Sequence, residues 1–158
     1  MFRFWNRADK SKDLLSSALY DESTFYKAFL KDLASCEKEI IIVSPFITNS
    51  RAQILRPILQ EQVERGIKVT LITRHPREHD ENMAFQAEGE IPELEIIGVK
   101  VLFASGNHHQ KLAILDREIL WEGSLNIMSQ VRSREVMRRI KNKRCASEML
   151  RFLKLKNF

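Results

Sequence analysis

Residues 109–126 read HQKLAILDREILWEGSLN, and within them His109, Lys111, Ser124 and Asn126 carry the side chains best suited to handling a phosphate. Residues two apart in an extended strand project to the same side, so a strand over 109–115 presents the His109 imidazole and the Lys111 ammonium together. Ser124 and Asn126 share a side in the same way where their segment is extended. Leu112, Ile114 and Leu115 would hold that strand in the core. Lysine supplies charge and hydrogen bonds, serine and asparagine add neutral donors, and histidine attacks phosphorus or moves protons near neutral pH. The four groups together suit a phosphodiester.

The elements that must position them alternate. Ser23 is placed as a cap before Phe25, Tyr26, Phe29, Leu30 and Leu33, whose spacing marks one face of a helix. Residues 39–43 then run as an uninterrupted apolar strand, Ile54 to Val63 give a second helix ended at Gly66, and residues 69–72 form the next strand. From 74 to 95 the periodicity is weak, with Met83, Phe85 and Ala87 on at most a short helix or lid. Strands follow at 99–103, 109–115 and 119–121, with turns at 105–107 and 116–117, then a strand near 135–140 and a helix over 147–155. This order predicts an α/β/α sandwich with a mixed, largely parallel central sheet in one domain, residues 1–158, of which 1–21 are a peripheral extension.

His109, Lys111, Asp116, Gly123, Ser124 and Asn126 fit HxKx4Dx6GSxN at every fixed position. The stretch resembles the HKD signature of the phospholipase D superfamily, and with the alternation before it the chain resembles the small one-motif bacterial nucleases of that superfamily. The tract 120–126 also resembles phospholipase D-like domains attached to large DNA helicases and ATPases. The similarity spans about residues 22–140.

The resemblance implies a phosphodiesterase that needs no metal. A motif histidine forms a phosphohistidine, a second motif's histidine protonates the leaving oxygen, and water releases the phosphate. His109 would be nucleophile or acid, Lys111 and Asn126 phosphate ligands, Ser124 a supporting donor, and Asp116 structural or one step removed from the substrate. Family members carry a downstream acidic residue that orients the histidine, and Glu135 is the candidate here. The chain has one motif and no internal repeat, so the two histidines would meet in a homodimer, with a site on the two-fold axis.

The remaining features narrow the partner. Among 158 residues, 26 Lys and Arg exceed 21 Asp and Glu, giving a net charge of +5, which favours a polyanion. Arg132, Arg134, Arg138, Arg139, Lys141, Lys143 and Arg144 follow the motif closely, and Arg132 and Arg134, with Arg74 after an earlier strand, are candidate nucleic-acid contacts. His108 falls on the side of the strand opposite His109. His75 and His79, four apart beside Asp80, could ligate a metal from one helical face, but Pro76 makes the segment a loop. Ser44-Pro45-Phe46 is either a substrate wall or a strand stop, and Trp121 reads as packing rather than base stacking. Cys36 and Cys145 match neither a metal site nor a disulfide framework, which fits a reducing compartment. Charges interrupt every apolar stretch of the first residues and no window approaches the apolar length that spans a membrane, so neither export nor a membrane span is expected.

The expectation is therefore a cytoplasmic nuclease acting on DNA or RNA without a cofactor. Phospholipid hydrolysis or transfer, and a non-catalytic nucleic-acid-binding partner of a helicase or ATPase, are the alternatives.

Overall fold

The computed structural model describes residues 16–129 and 132–154. Seven strands, β1 (Ser17–Asp21), β2 (Glu39–Val43), β3 (Lys68–Arg74), β4 (Lys100–Ala104), β5 (Leu112–Leu115), β6 (Ile119–Gly123) and β7 (Val136–Lys141), form one sheet in the order β1-β7-β6-β5-β2-β3-β4. The helices are α1 (Phe25–Ala34), α2 (Asn49–Glu64), α3 (Glu81–Ile96) and α4 (Lys143–Phe152).

The α/β class and the mixed sheet agree with the sequence, but the parallel share is smaller than expected. Only β2–β3 and β3–β4 pair parallel; the other four neighbours are antiparallel. Helical crossovers, which parallel pairing requires, connect only the first half of the sheet, while β5 and β6 form a hairpin. Residues 17–21 are also not peripheral. They form edge strand β1, paired with β7 from Ser17↔Ile140 to Asp21↔Val136. Ser16 joins them through a bond from the Lys141 amide, and residues 1–15 of the supposed extension lie outside the described residues.

Alternation along the central strands divides the core. Ile40, Ile42, Val69, Leu71, Ala113, Leu115 and Trp121 face α1, α2 and α3, whereas Ile41, Val43, Ile72, Leu112, Ile114 and Leu120 face α4. Burial on both faces explains why β2 reads as a continuous apolar run. Trp121 is fully buried among Phe25, Phe29 and Tyr20, and its indole N–H donates to Asp32 at 2.9 Å. The same carboxylate accepts two bonds from Arg139, at 2.6 and 2.9 Å. Trp121 thus packs, and Arg139, one of the basic cluster, is committed to the fold.

Several boundaries moved. Thr24, not Ser23, is the residue before α1, and the Asp21 carboxylate accepts from the Ser23 and Thr24 amides and hydroxyls. Those bonds hold Asp21 down to about 2. The helix α3 has 16 residues where weak periodicity promised little. Its buried positions include Glu90, ion-paired with Arg56 of α2, and Pro92 lies inside it, so the apolar stripe of Ala87, Ile91 and Leu94 is obscured. The last helix starts at Lys143 because the Asn142 side chain accepts the Arg144 and Cys145 amides, at 2.8 and 3.1 Å.

Among the described residues no helix is long and apolar enough to cross a membrane. Cys36 is buried, and burial with the Asp116 and Asp32 carboxylates nearby pushes its thiol up to about 12. Since the thiolate is the reactive form, Cys36 should stay unmodified by iodoacetamide at pH 8 until denaturant is added. Mass spectrometry of native and urea-treated protein checks this, and alkylation of the native thiol would contradict it.

Candidate active site

The motif comes together where β5 begins and β6 ends. Leu112 pairs with Glu122, and the Gly123 amide donates to the Lys111 carbonyl at 3.3 Å, so the segment entering β5 lies beside the segment leaving β6. Gly123 is required by a close approach. A Cβ built there would lie 2.1 Å from the Val136 carbonyl oxygen and 2.9 Å from the Met137 Cα, so β7 packs against β6 only because that side chain is missing.

His109 and Lys111 are not within the strand, as 109–115 would have them, but just before it. The neighbour β2 ends at Val43, opposite Leu112; beyond it the Ser44 amide donates to Ile72 and Pro45 has no amide hydrogen. With no partner on the β2 side, that ladder stops at Leu112, and the Lys111 backbone keeps only the bond from Gly123 among the described residues. The Lys111 ammonium donates to the His109 carbonyl at 2.8 Å, which folds the lysine back over the histidine's own backbone. His109 is exposed, and its imidazole meets the Phe46 ring edge-on, centroids 6.1 Å apart.

Phe46 therefore reaches the site, and Ser44 braces it. The Ser44 hydroxyl donates to the Phe46 carbonyl at 3.1 Å and accepts from the Met128 amide at 3.1 Å. The Thr48 amide donates to Met128 at 2.9 Å, and the Tyr26 hydroxyl to Ile127 at 2.7 Å. The loop after β2 and the loop after β6 are thus fastened together. Asn126 sits in the second loop, half-buried, and its Oδ1 is buried with no partner among the described residues.

Ser124 and Glu135 meet, but not as an orienting carboxylate for His109. The Ser124 hydroxyl donates to Glu135 and accepts from the Val136 amide at 3.1 Å; the second Glu135 oxygen accepts from Ser133 at 2.6 Å. Glu22 at the end of β1 accepts the Glu135 amide at 2.9 Å, a bond that draws the Glu22 carboxyl below its usual range. The carboxylate expected on the imidazole ties β6 to β7 instead. Asp116, grouped by the motif with the catalytic residues, is at the opposite end of β5 and does not belong to the site. It accepts the backbone amides of Glu37, Lys38 and Glu39 at 2.9, 2.8 and 3.0 Å.

Arg74, a candidate contact from the sequence, lies near the Phe46 ring that also meets His109, and His79 joins it there. The Arg74 guanidinium, buried, donates to the Glu78 carbonyl at 2.8 Å and lies 5.7 Å from the Phe46 ring centroid. His79 packs tilted against the same ring, centroids 5.0 Å apart. Burial and then Arg74 lower the pKa of His79; burial, His109, Arg74 and Lys111 lower that of His108. Both imidazoles are therefore biased to the neutral form, by burial first and by the neighbouring cations second. Arg132 and Arg134 are exposed beside Glu135, whereas Arg138 donates to Ser17 and Lys143 pairs with Glu118. His75 and His79 flank a short 3-10 turn, and among the described residues no three His, Cys, Asp or Glu side chains cluster as metal ligands.

The family described as "Cardiolipin synthase, PLD-like domain" matches residues 29–155. The phospholipase D family member Nuc from Salmonella typhimurium superposes with a TM-score of 0.67 at 18% identity, covering 87% of this chain and 92% of that one. NucT from Helicobacter pylori gives 0.66 at 20% identity, with 87% and 92% covered. Phosphatidylserine synthase from Haemophilus influenzae gives 0.61 at 12% identity, covering 84% of this chain and 37% of that one. These likenesses share the fold. No protein of curated function matches by sequence.

Proposed function

Because the chain belongs to the phospholipase D superfamily of phosphodiesterase-type enzymes, we propose that it is a nuclease that hydrolyses DNA or RNA through a phosphohistidine. The observation that carries this is that Lys111 bonds the His109 carbonyl while His109, His79 and Arg74 gather on the Phe46 ring, and that the loop carrying Asn126 is fastened to the loop carrying Phe46. A ring nitrogen of His109 attacks phosphorus, forming a P–N bond as the bond to the leaving oxygen breaks. Lys111 and Asn126 hold the non-bridging oxygens, whose charge grows in the transition state. The leaving oxygen needs a proton, and His109 of the partner subunit supplies it across the two-fold axis of a homodimer. Water attacks the phosphohistidine, gives its proton back to that base and releases the phosphate. The protein acts in the cytoplasm, and a helicase or ATPase is its candidate partner.

Ser124 has no proton to spare for the phosphate while it donates to Glu135, so its role is to fix the loop that carries Asn126. Arg132 and Arg134, exposed at the rim, would steer a polyanion toward the site.

Covalent catalysis by histidine and lysine needs no Lewis acid, so hydrolysis should continue at full rate in excess EDTA. Loss of turnover on chelation, with recovery on adding Mg²⁺, would refute this. The description of the matching family favours one second reading, phospholipid hydrolysis or transfer. Plasmid, single-stranded DNA, RNA and phosphatidylcholine assayed side by side decide between them, and binding of nucleic acid without turnover of any substrate would instead indicate an accessory domain.

A further inference from the structure

Phe46 stands beside the motif without belonging to it, and its backbone is held from two sides. The Ser44 hydroxyl donates to the Phe46 carbonyl while accepting from the Met128 amide, and the Thr73 hydroxyl of β3 donates to the Pro45 carbonyl at 3.3 Å. Pro45 and Ile47, its chain neighbours, are buried. The ring is held as well. The Arg74 guanidinium, on a residue only 9% exposed and bonded to the Glu78 carbonyl, lies 5.7 Å from the ring centroid, and His79 packs tilted at 5.0 Å. The His109 imidazole meets this braced ring with 62° between the planes and 6.1 Å between centroids, inside the edge-to-face range that aromatic rings prefer.

Other groups near His109 act elsewhere. The Lys111 ammonium bonds the His109 carbonyl, which fixes backbone rather than ring, and with three donors it keeps two for a phosphate. The Glu135 carboxylate is bonded to Ser124 and Ser133. His109 is exposed, so without a lateral contact its side chain would exchange among staggered rotamers. We propose that Phe46 is a positioning residue, whose braced ring selects the imidazole orientation that aims a ring nitrogen at phosphorus; this rests on the reading of His109 as the attacking group. Attack requires the reacting atoms near 3–3.5 Å and in line, and a misplacement of about 1 Å costs about a hundredfold. With Arg74, His79 and His109 around it, the ring serves the imidazole rather than acting as a wall for the substrate.

The test compares Phe46→Leu, which keeps apolar bulk and removes the ring, with Phe46→Tyr, which keeps the ring. On bis(p-nitrophenyl) phosphate, whose hydrolysis reads diester cleavage whatever the natural substrate is, Phe46→Leu should lower kcat about a hundredfold and leave KM nearly unchanged. Phe46→Tyr should recover most of that loss. In NMR spectra the His109 imidazole resonances, identified by their absence in His109→Ala protein, should carry the ring-current shift of an aromatic neighbour in the wild type and in Phe46→Tyr, and lose it in Phe46→Leu. Wild-type kcat in Phe46→Leu would overturn the proposal. So would a raised KM at unchanged kcat, which makes the ring a substrate contact, and so would a lowered kcat with the His109 resonances unmoved, which places the loss in the fold. If Phe46→Leu does not fold, rotamer-averaged His109 resonances in the wild type would still refute the contact, and shifted ones retained in an active Phe46→Tyr would support it. If wild-type protein cleaves no diester, the reading of His109 as the attacking group fails, while the resonances alone decide whether Phe46 fixes the ring.

Discussion

His109→Ala is expected to lower kcat on a nucleic-acid substrate by on the order of 10⁴ or more, because it deletes the atom that bonds to phosphorus and leaves only electrostatic stabilisation. His109 is exposed and its main contact is the edge of Phe46, so the variant should fold as the wild type does. Lys111→Ala should raise KM and lower kcat together, since an ammonium meets the phosphate in both ground and transition states. The same variant tests the shared site. With equal amounts of wild-type and His109→Ala chains allowed to exchange, random pairing leaves about a quarter of dimers fully wild type. A site needing both histidines should then keep about a quarter of the activity of an equal mass of wild type. Self-sufficient sites would keep about half; that result, or a monomer in light scattering at assay concentration, would overturn the shared site. Wild-type rates in homogeneous His109→Ala protein would place the chemistry elsewhere.

Asp116→Ala should do the opposite, losing stability while each folded molecule keeps its activity. The carboxylate accepts three consecutive amides, of Glu37, Lys38 and Glu39, and so closes the turn that feeds α1 into β2. Hydrogen bonds to a charged acceptor contribute about 1.5–3 kcal/mol each where buried, and solvent around this half-exposed residue brings each of the three to roughly 1 kcal/mol, for a total of roughly 2–4 kcal/mol. For a chain of this size that corresponds to a fall in Tm of roughly 5–12 °C. Asp116 also stands in the left-handed region with φ 53°, which aspartate tolerates better than alanine, so the backbone adds to the loss. Thermal melting together with kcat per folded molecule reads both halves. Lost activity at unchanged Tm would return Asp116 to the catalytic set.

Much of the site was readable because it is local. A hairpin pairs residues close in sequence, so the spacing from His109 to Asn126 already places the segment before β5 beside the segment after β6, and no distant contact is needed to do it. The two-faced burial of β2 was readable for the same reason, since four apolar residues in succession fit only a strand covered on both sides. By contrast, α3 escaped because burying Glu90 against Arg56 breaks the apolar period, and that ion pair joins residues 34 positions apart.

What the sequence by itself determined, then, is the motif, its hairpin and the α/β alternation, each carried by interactions a few residues long. Only the tertiary structure decided which side chains surround the motif. Phe46 and His79 come from the loops after β2 and β3 and Arg74 is the last residue of β3; they gather beside His109 because parallel pairing of those strands carries both ends to the side of the sheet where β5 starts. It also decided that Glu135 bonds Ser124 and Ser133 and that Asp116 braces a distant turn. A side chain's type states which bonds it can make; which bond it does make depends on the backbone that long-range packing brings within about 3 Å of it.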